Sequence, residues 1–180
     1  MESITEHLLT LDTTPTYSLA TKTHPFLVSA SEGTLSNNLL ALWLFQDRIY
    51  AAHAYPHFIG SLISRIPFDS HHLTGEHCQR ILKILTFCLE NIVREVEFFD
   101  NTAKRWGLDV RGWKERKGTR DYTAEMTRIS NTGRIEEGLL FLWAMEKVNL
   151  PFDPGSQRSN TPVLTPIRYI WMPGRTYTMD

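Results

Sequence analysis

Residues 77–106 contain neither proline nor glycine, and their apolar side chains recur every three or four positions until Gly107. Ile81, Ile84, Leu85, Cys88, Leu89, Ile92, Val96 and Phe99 mark one stripe, so the spacing predicts a long amphipathic helix closed by Gly107. A second periodic stretch runs from Ser36, a good N-cap after the turn residue Gly33, to about Ile66. Leu39, Leu42, Phe45, Ile49 and Ala52 mark its apolar face, and Pro56 is expected to kink the helix or split it in two. Further helices fit Thr119–Ser130 and Arg134–Val148, the latter with Leu139, Leu142, Trp143 and Met145 as apolar positions. Alternating strand patterns are scarce. The expected fold is all-α, an antiparallel multi-helical bundle with short joints.

Proline use divides the chain. Four prolines fall within residues 1–150 and five within the last thirty (Pro151, Pro154, Pro162, Pro166 and Pro173). The expected organisation is therefore one helical bundle over residues 1–150 and an irregular, Pro-rich tail over 151–180. A length of 180 residues suits a single domain, and 42% hydrophobic residues suffice for a core. The net charge of -1 offers no basic footprint for nucleic acid and no polybasic membrane anchor. The longest apolar run is too short to span a bilayer, and the N-terminus MESITEHLLT lacks the basic and apolar regions of a signal peptide. Two cysteines make no disulfide framework. A cytoplasmic protein without nucleic-acid or membrane partners is expected.

The 36–66 helix carries the best candidate chemistry. Trp43, Asp47, Tyr50, Ala54 and His57 share one face at helical spacing, apart from the leucine-rich one. A carboxylate between aromatic rings can accept two hydrogen bonds from an amino-heterocycle while the rings stack on it. The plainer reading is a surface face with two half-buried aromatics. His53 and His57 have metal-clamping spacing, but the Glu-x-x-His pairs that usually complete a bundle site are absent, and no metal or other cofactor is expected. Asp69-Ser-His-His72 falls in a loop without an obvious partner. Cys88 lies in the apolar stripe and reads as inert packing, while Cys78 opens the same helix with no nearby Lys or Arg before it in the sequence, and the structural reading is the expected one for both. Tyr122 follows a basic, glycine-containing loop and either lines a pocket or seals a helix end. Glu146, in FLWAMEKV, is a carboxylate near an apolar helix, and a solvated Glu146–Lys147 pair is its plainer reading.

Five segments in order resemble the TenA (thiaminase II) family, which has the heme-oxygenase-like helical fold: THPFLVSASEGTLS (23–36), LWLFQDRIYAAHAYPHFIG (42–60), NIVREVEFFDNTAKRWGLD (91–109), GTRDYTAEM (118–126) and EEGLLFLWAMEK (136–147). They span residues 20 to 147 or so and are closest in tone to eukaryotic, especially fungal, members. The resemblance implies hydrolysis of aminopyrimidines related to the thiamine pyrimidine, in salvage or degradation, with release of an amine or ammonia. By motif match, Asp47 would bind the amino group and ring nitrogen of the pyrimidine. Tyr50 and Tyr122 would stack on it or orient it, beside Trp43, and Glu146 would join Asp47 as a catalytic residue. The family often assembles as homo-oligomers.

Two departures accompany the resemblance. Met145 stands at or near the position of the family's nucleophilic cysteine, and a thioether cannot form that covalent adduct. Glu146 makes the chain resemble the subgroup lacking the cysteine. After Val148 the chain turns into a segment without glutamate, where the family continues into helices that carry a catalytic glutamate. The segment has the look of translated non-coding sequence, and the chain reads as C-terminally truncated or divergent. Leu139, Leu142 and Trp143 would then be left uncovered, so self-association is expected. Two alternatives stand beside the hydrolase. One is a catalytically degenerate binder of a small heterocycle or an accessory protein of a biosynthetic pathway. The other is a metal- or oxygen-using oxidase of the same fold.

Overall fold

The computed structural model describes residues 3–12, 16–67 and 75–149. Every regular element among them is helical: α1 (Ile4–Thr10), a π-helical turn (Leu19–Thr23), α2 (Pro25–Glu32), α3 (Asn37–Ile49), a second π-helical turn (Tyr50–Ala54), α4 (Tyr55–Ser64), α5 (Glu76–Arg105), α6 (Lys117–Thr132) and α7 (Ile135–Asn149). The fold is all-α, and no helix among the described residues is long and apolar enough to cross a membrane. The expected tail, 151–180, and the Asp69–His72 motif lie outside the described residues. The chain groups into two compact units, Ser36–Phe141 and the remainder, with the boundary inside α7.

In the unit formed by the chain ends, α1 and α2 begin on local signals that the periodicity did not reveal. Ser3 and Glu6 form a reciprocal capping box: the Glu6 N–H donates to Ser3 Oγ at 3.2 Å and the Ser3 N–H to Glu6 Oε2 at 2.7 Å. Pro25 opens α2, where its missing N–H costs nothing, and His24 Nδ1 accepts from the Phe26 N–H at 3.2 Å. Gly33 ends α2 in the left-handed region at φ 73°, which lets the Thr34 N–H reach Ser29 O at 2.9 Å. The Tyr17 hydroxyl donates to Lys147 O on α7 at 3.0 Å. Leu142 is buried and Trp143 half-buried, as is Leu139 in the other unit. Of the three residues expected to be left uncovered, Leu142 is thus enclosed, whereas Leu139 and Trp143 keep part of their surface exposed.

The Ser36–Phe141 unit is an antiparallel bundle. Ser36 caps α3 as expected, its Oγ accepting from the Leu39 N–H at 3.4 Å. Cys78, near the start of α5, donates to Pro67 O just beyond α4, while Arg48 on α3 pairs at 3.1 Å with Asp100 near the end of α5. The α5 helix therefore runs back along α3 and α4. Helix α6 runs with α3 and α4, because Gln46, Tyr50 and Arg65 meet Thr119, Tyr122 and the Ile129–Gly133 turn in the same order. Helix α7 returns against both: Phe141 packs on Tyr122 and Phe58, while Gly138 lies on Leu62. Gly107 closes α5 at φ 59°, with the Leu108 N–H bonded to Ala103 O at 2.9 Å.

The buried faces differ in two places from the expected ones. On α3 the core positions are Leu40, Ala41 and Leu44, whereas Leu39 is exposed and Leu42, Phe45 and Ile49 are only half-buried. Packing explains the rotation: α5 and α6 both cover α3, so the face chosen by leucine content alone is not the one enclosed. On α5 the buried line is Leu85, Cys88, Ile92, Glu95, Phe99 and Thr102, at alternating three- and four-residue steps, and Ile84 of the predicted stripe is exposed.

Candidate functional site

Pro56 shapes the site. Its ring nitrogen has no hydrogen to give the preceding turn, and inside a regular helix it clashes with the carbonyl four residues back. The chain answers with the π-helical turn at Tyr50–Ala54, in which the Tyr55 N–H donates to Tyr50 O five residues earlier. The expected kink or split at Pro56 thus takes the form of a widened turn, with Pro56 in the first positions of α4. One extra residue in that turn moves the next position on the Tyr50 face from Ala54 to Tyr55. Tyr50 and Tyr55 are both buried and meet edge to face at 5.5 Å. His57, expected on that face, is exposed, as is His53.

Tyr122 on α6 lies against Tyr50 with ring centroids 5.4 Å apart, and against Phe141 at 6.0 Å. Phe141 in turn meets Phe58 at 5.7 Å. The structure thus joins Tyr50 and Tyr122, separated by 72 positions in sequence, in one aromatic wall.

Asp47 stands one helical turn before Tyr50, and Trp43 one turn before Asp47, half-buried. Asp47 keeps some exposed surface as a residue, yet burial of its carboxyl, with the negative charge of Glu95 added, pushes its pKa from 3.8 up to about 7. Glu95 is itself buried on α5 and accepts a hydrogen bond from Asn91 Nδ2 at 3.1 Å; the other amide atom, Asn91 Oδ1, is buried with no partner among the described residues. A carboxyl titrating near neutrality beside aromatic rings can hold or release a proton at working pH.

Glu146, the second expected catalytic residue, lies half-buried on the part of α7 that belongs to the other unit, next to the buried Met145. Cys88 is buried and Cys78 half-buried. Among the described residues no group of three or more His, Cys, Asp or Glu side chains could hold a metal ion.

Two site residues were missed in the sequence. Glu95 sits on the α5 stripe between Ile92 and Phe99, and a charged residue at a core-spaced position was the available signal. Tyr55 carried none, because in regular helical register it points away from Tyr50.

No family model matches the chain. It is 30% identical over 125 residues to a Fusarium pseudograminearum protein named as a probable transcription factor, covering 68% of this chain and 25% of that protein. It is 21% identical over 133 residues to a probable bifunctional TENA-E protein of Glycine max, covering 73% of this chain and 55% of that one. The chain thus spans about a quarter and about half the length of these curated relatives. Its fold matches the crystal structure of a TenA homologue from Pyrococcus furiosus with a TM-score of 0.58 and 21% identity, over 70% of this chain and 55% of that one. The chain thus shares the fold of a TenA homologue, and its sequence is similar to that of a TENA-E protein.

Proposed function

We propose that the chain acts in thiamine metabolism, binding an aminopyrimidine at Asp47 and hydrolysing it with release of an amine or ammonia. The observation that carries this reading is the raised Asp47 carboxyl on the helical face that leads into the Tyr50–Tyr122 ring pair. An aminopyrimidine offers an amino N–H and a ring nitrogen side by side, and a carboxyl with one shared proton pairs with both. The tyrosine rings supply stacking surface at little entropic cost. In the hydrolysis, water attacks the exocyclic carbon as the C–N bond breaks, and the proton that the water loses ends on the departing nitrogen, leaving an alcohol and the free amine or ammonia. Asp47, titrating near neutrality, supports proton exchange with the ring. Glu146 is the proposed acid for the departing amine, on the motif match alone.

Met145 favours a second reading, a binder without turnover, because a thioether cannot replace a nucleophilic thiol. The chain spans a quarter of the Fusarium protein, and its net charge of -1 offers no basic footprint for nucleic acid.

Calorimetric titration of wild type and Asp47→Ala with an aminomethylpyrimidine, with ammonia measured in the same sample, separates the readings. Asp47-dependent binding with ammonia release supports the hydrolase. Asp47-dependent binding without ammonia supports the binder, and a folded wild type that binds nothing overturns both.

A further inference from the structure

We infer that Gln46 is a positioning residue: its side-chain amide holds the first turn of α6 and so sets where the Tyr122 ring lies against Tyr50. Gln46 precedes Asp47, and its Oε1 accepts from the Arg116 N–H at 2.7 Å and from the Thr119 hydroxyl at 2.8 Å. Its Nε2 donates to Lys114 O at 3.0 Å. The Arg116 N–H can only donate and the Lys114 carbonyl can only accept, so the amide has one permitted orientation.

Helix α6 needs this support. Its N-cap, Arg116, makes no side-chain capping bond, and Gly118 in the first turn weakens helix formation. In a capping box the residue three places after the N-cap reaches back to the N-cap N–H. Here that residue is Thr119, whose hydroxyl points to Gln46 instead, and Gln46 takes the N-cap N–H from across the bundle. Tyr122 follows Thr119 by three residues and Tyr50 follows Gln46 by four. The polar rung (Gln46 with Thr119) and the aromatic rung (Tyr50 with Tyr122) therefore sit one helical turn apart on the same two helices. A displacement at the first rung is carried to the second.

The ligand arm of the test rests on the aminopyrimidine reading, whereas the exchange arm does not. Gln46→Leu removes all three hydrogen bonds, and Gln46→Glu keeps both acceptor functions but loses the donor to Lys114 O. Amide hydrogen exchange of the ligand-free chain is expected to quicken about tenfold over residues 116–122 in Gln46→Leu, with α5 unchanged, and to be largely restored in Gln46→Glu. Affinity for an aminomethylpyrimidine is expected to fall about tenfold in Gln46→Leu, yet less than about twofold when the same change is made in Tyr122→Ala, since both act through one ring. Unchanged exchange, or an undiminished loss of affinity in the Tyr122→Ala background, overturns the inference. If wild type binds no aminopyrimidine, the ligand reading falls and the exchange result alone decides the role of Gln46. Should Gln46→Leu fail to melt cooperatively, Gln46→Asn, one methylene short of its partners, takes its place in the same cycle.

Discussion

Tyr50 and Tyr55 meet edge to face, their ring centroids 5.5 Å apart and their planes at 80°, although they stand five positions apart on one continuous helical run. In an uninterrupted α-helix, residues five apart point about 140° away from each other. The π-helical turn forced by Pro56 removes that offset. A proline that reads as a helix breaker in the sequence thus extends the aromatic wall beside Asp47 by one ring.

The raised Asp47 carboxyl makes folding depend on pH in a defined direction. Burial and Glu95 favour the neutral form in the folded chain, moving titration from 3.8 to about 7. The contribution of this group to stability is full below about pH 4, where both states are protonated. It is lost as pH rises to the folded value, at about 1.4 kcal/mol for each pH unit climbed. Denaturant unfolding of wild type and Asp47→Asn from pH 4 to 8 is expected to show wild type losing several kcal/mol relative to the variant as pH rises. Glu95→Gln is expected to shift the loss to lower pH. Parallel stability curves for wild type and Asp47→Asn would refute the raised carboxyl.

Gly138 on α7 is buried against Leu62 on α4. A methyl group at position 138 would strike Leu62 Cδ2 and stand 3.3 Å from its Cγ, and Leu62 is wholly buried, with little room to turn away. Alanine gains about 1 kcal/mol over glycine in a helix interior. Overpacking costs about 1–3 kcal/mol and prevails here. Gly138→Ala is expected to lower the melting temperature, and Gly138→Ala with Leu62→Ala to recover part of the loss. A stabilised single variant would show that the two helices separate freely.

Arg65 closes α6 from the end of α4. Its Nη1 donates to Ile129 O at 2.8 Å and to Gly133 O at 2.7 Å, and its Nη2 donates to Ser130 O. These carbonyls belong to the last turn of α6 and its C-cap, where a cation also meets the negative end of the helix dipole. Bonds to charged groups contribute about 1.5–3 kcal/mol, so Arg65→Ala is expected to cost about that much in chemical unfolding. Arg65→Lys should recover less than half, because a single ammonium cannot reproduce the planar fork. Full recovery by lysine would mean that charge alone matters.

Local signals carried much of the fold. The helix expected over 77–106 spans Glu76–Arg105, and those expected over 119–130 and 134–148 span Lys117–Thr132 and Ile135–Asn149. Each announces itself through apolar spacing, a cap such as Ser36 or a stop such as Gly107, all of which act within a few residues. The Trp43–Asp47–Tyr50 face was legible for the same reason. Its continuation to His57 was not, because the π-helical turn shifts the register and leaves that side chain exposed.

By itself the sequence determined the helices from α3 to α7, their approximate ends and the first half of the candidate site, since hydrogen bonds within a helix and its apolar stripe depend on near neighbours. Only the tertiary structure decided which face of α3 is enclosed, that Glu95 bears on Asp47, that Tyr122 meets Tyr50, and that Gln46 completes the start of α6. Each of those depends on how helices distant in the chain pack. Burial, charge proximity and cross-helix hydrogen bonds are properties of that packing, and no periodicity within one segment encodes them.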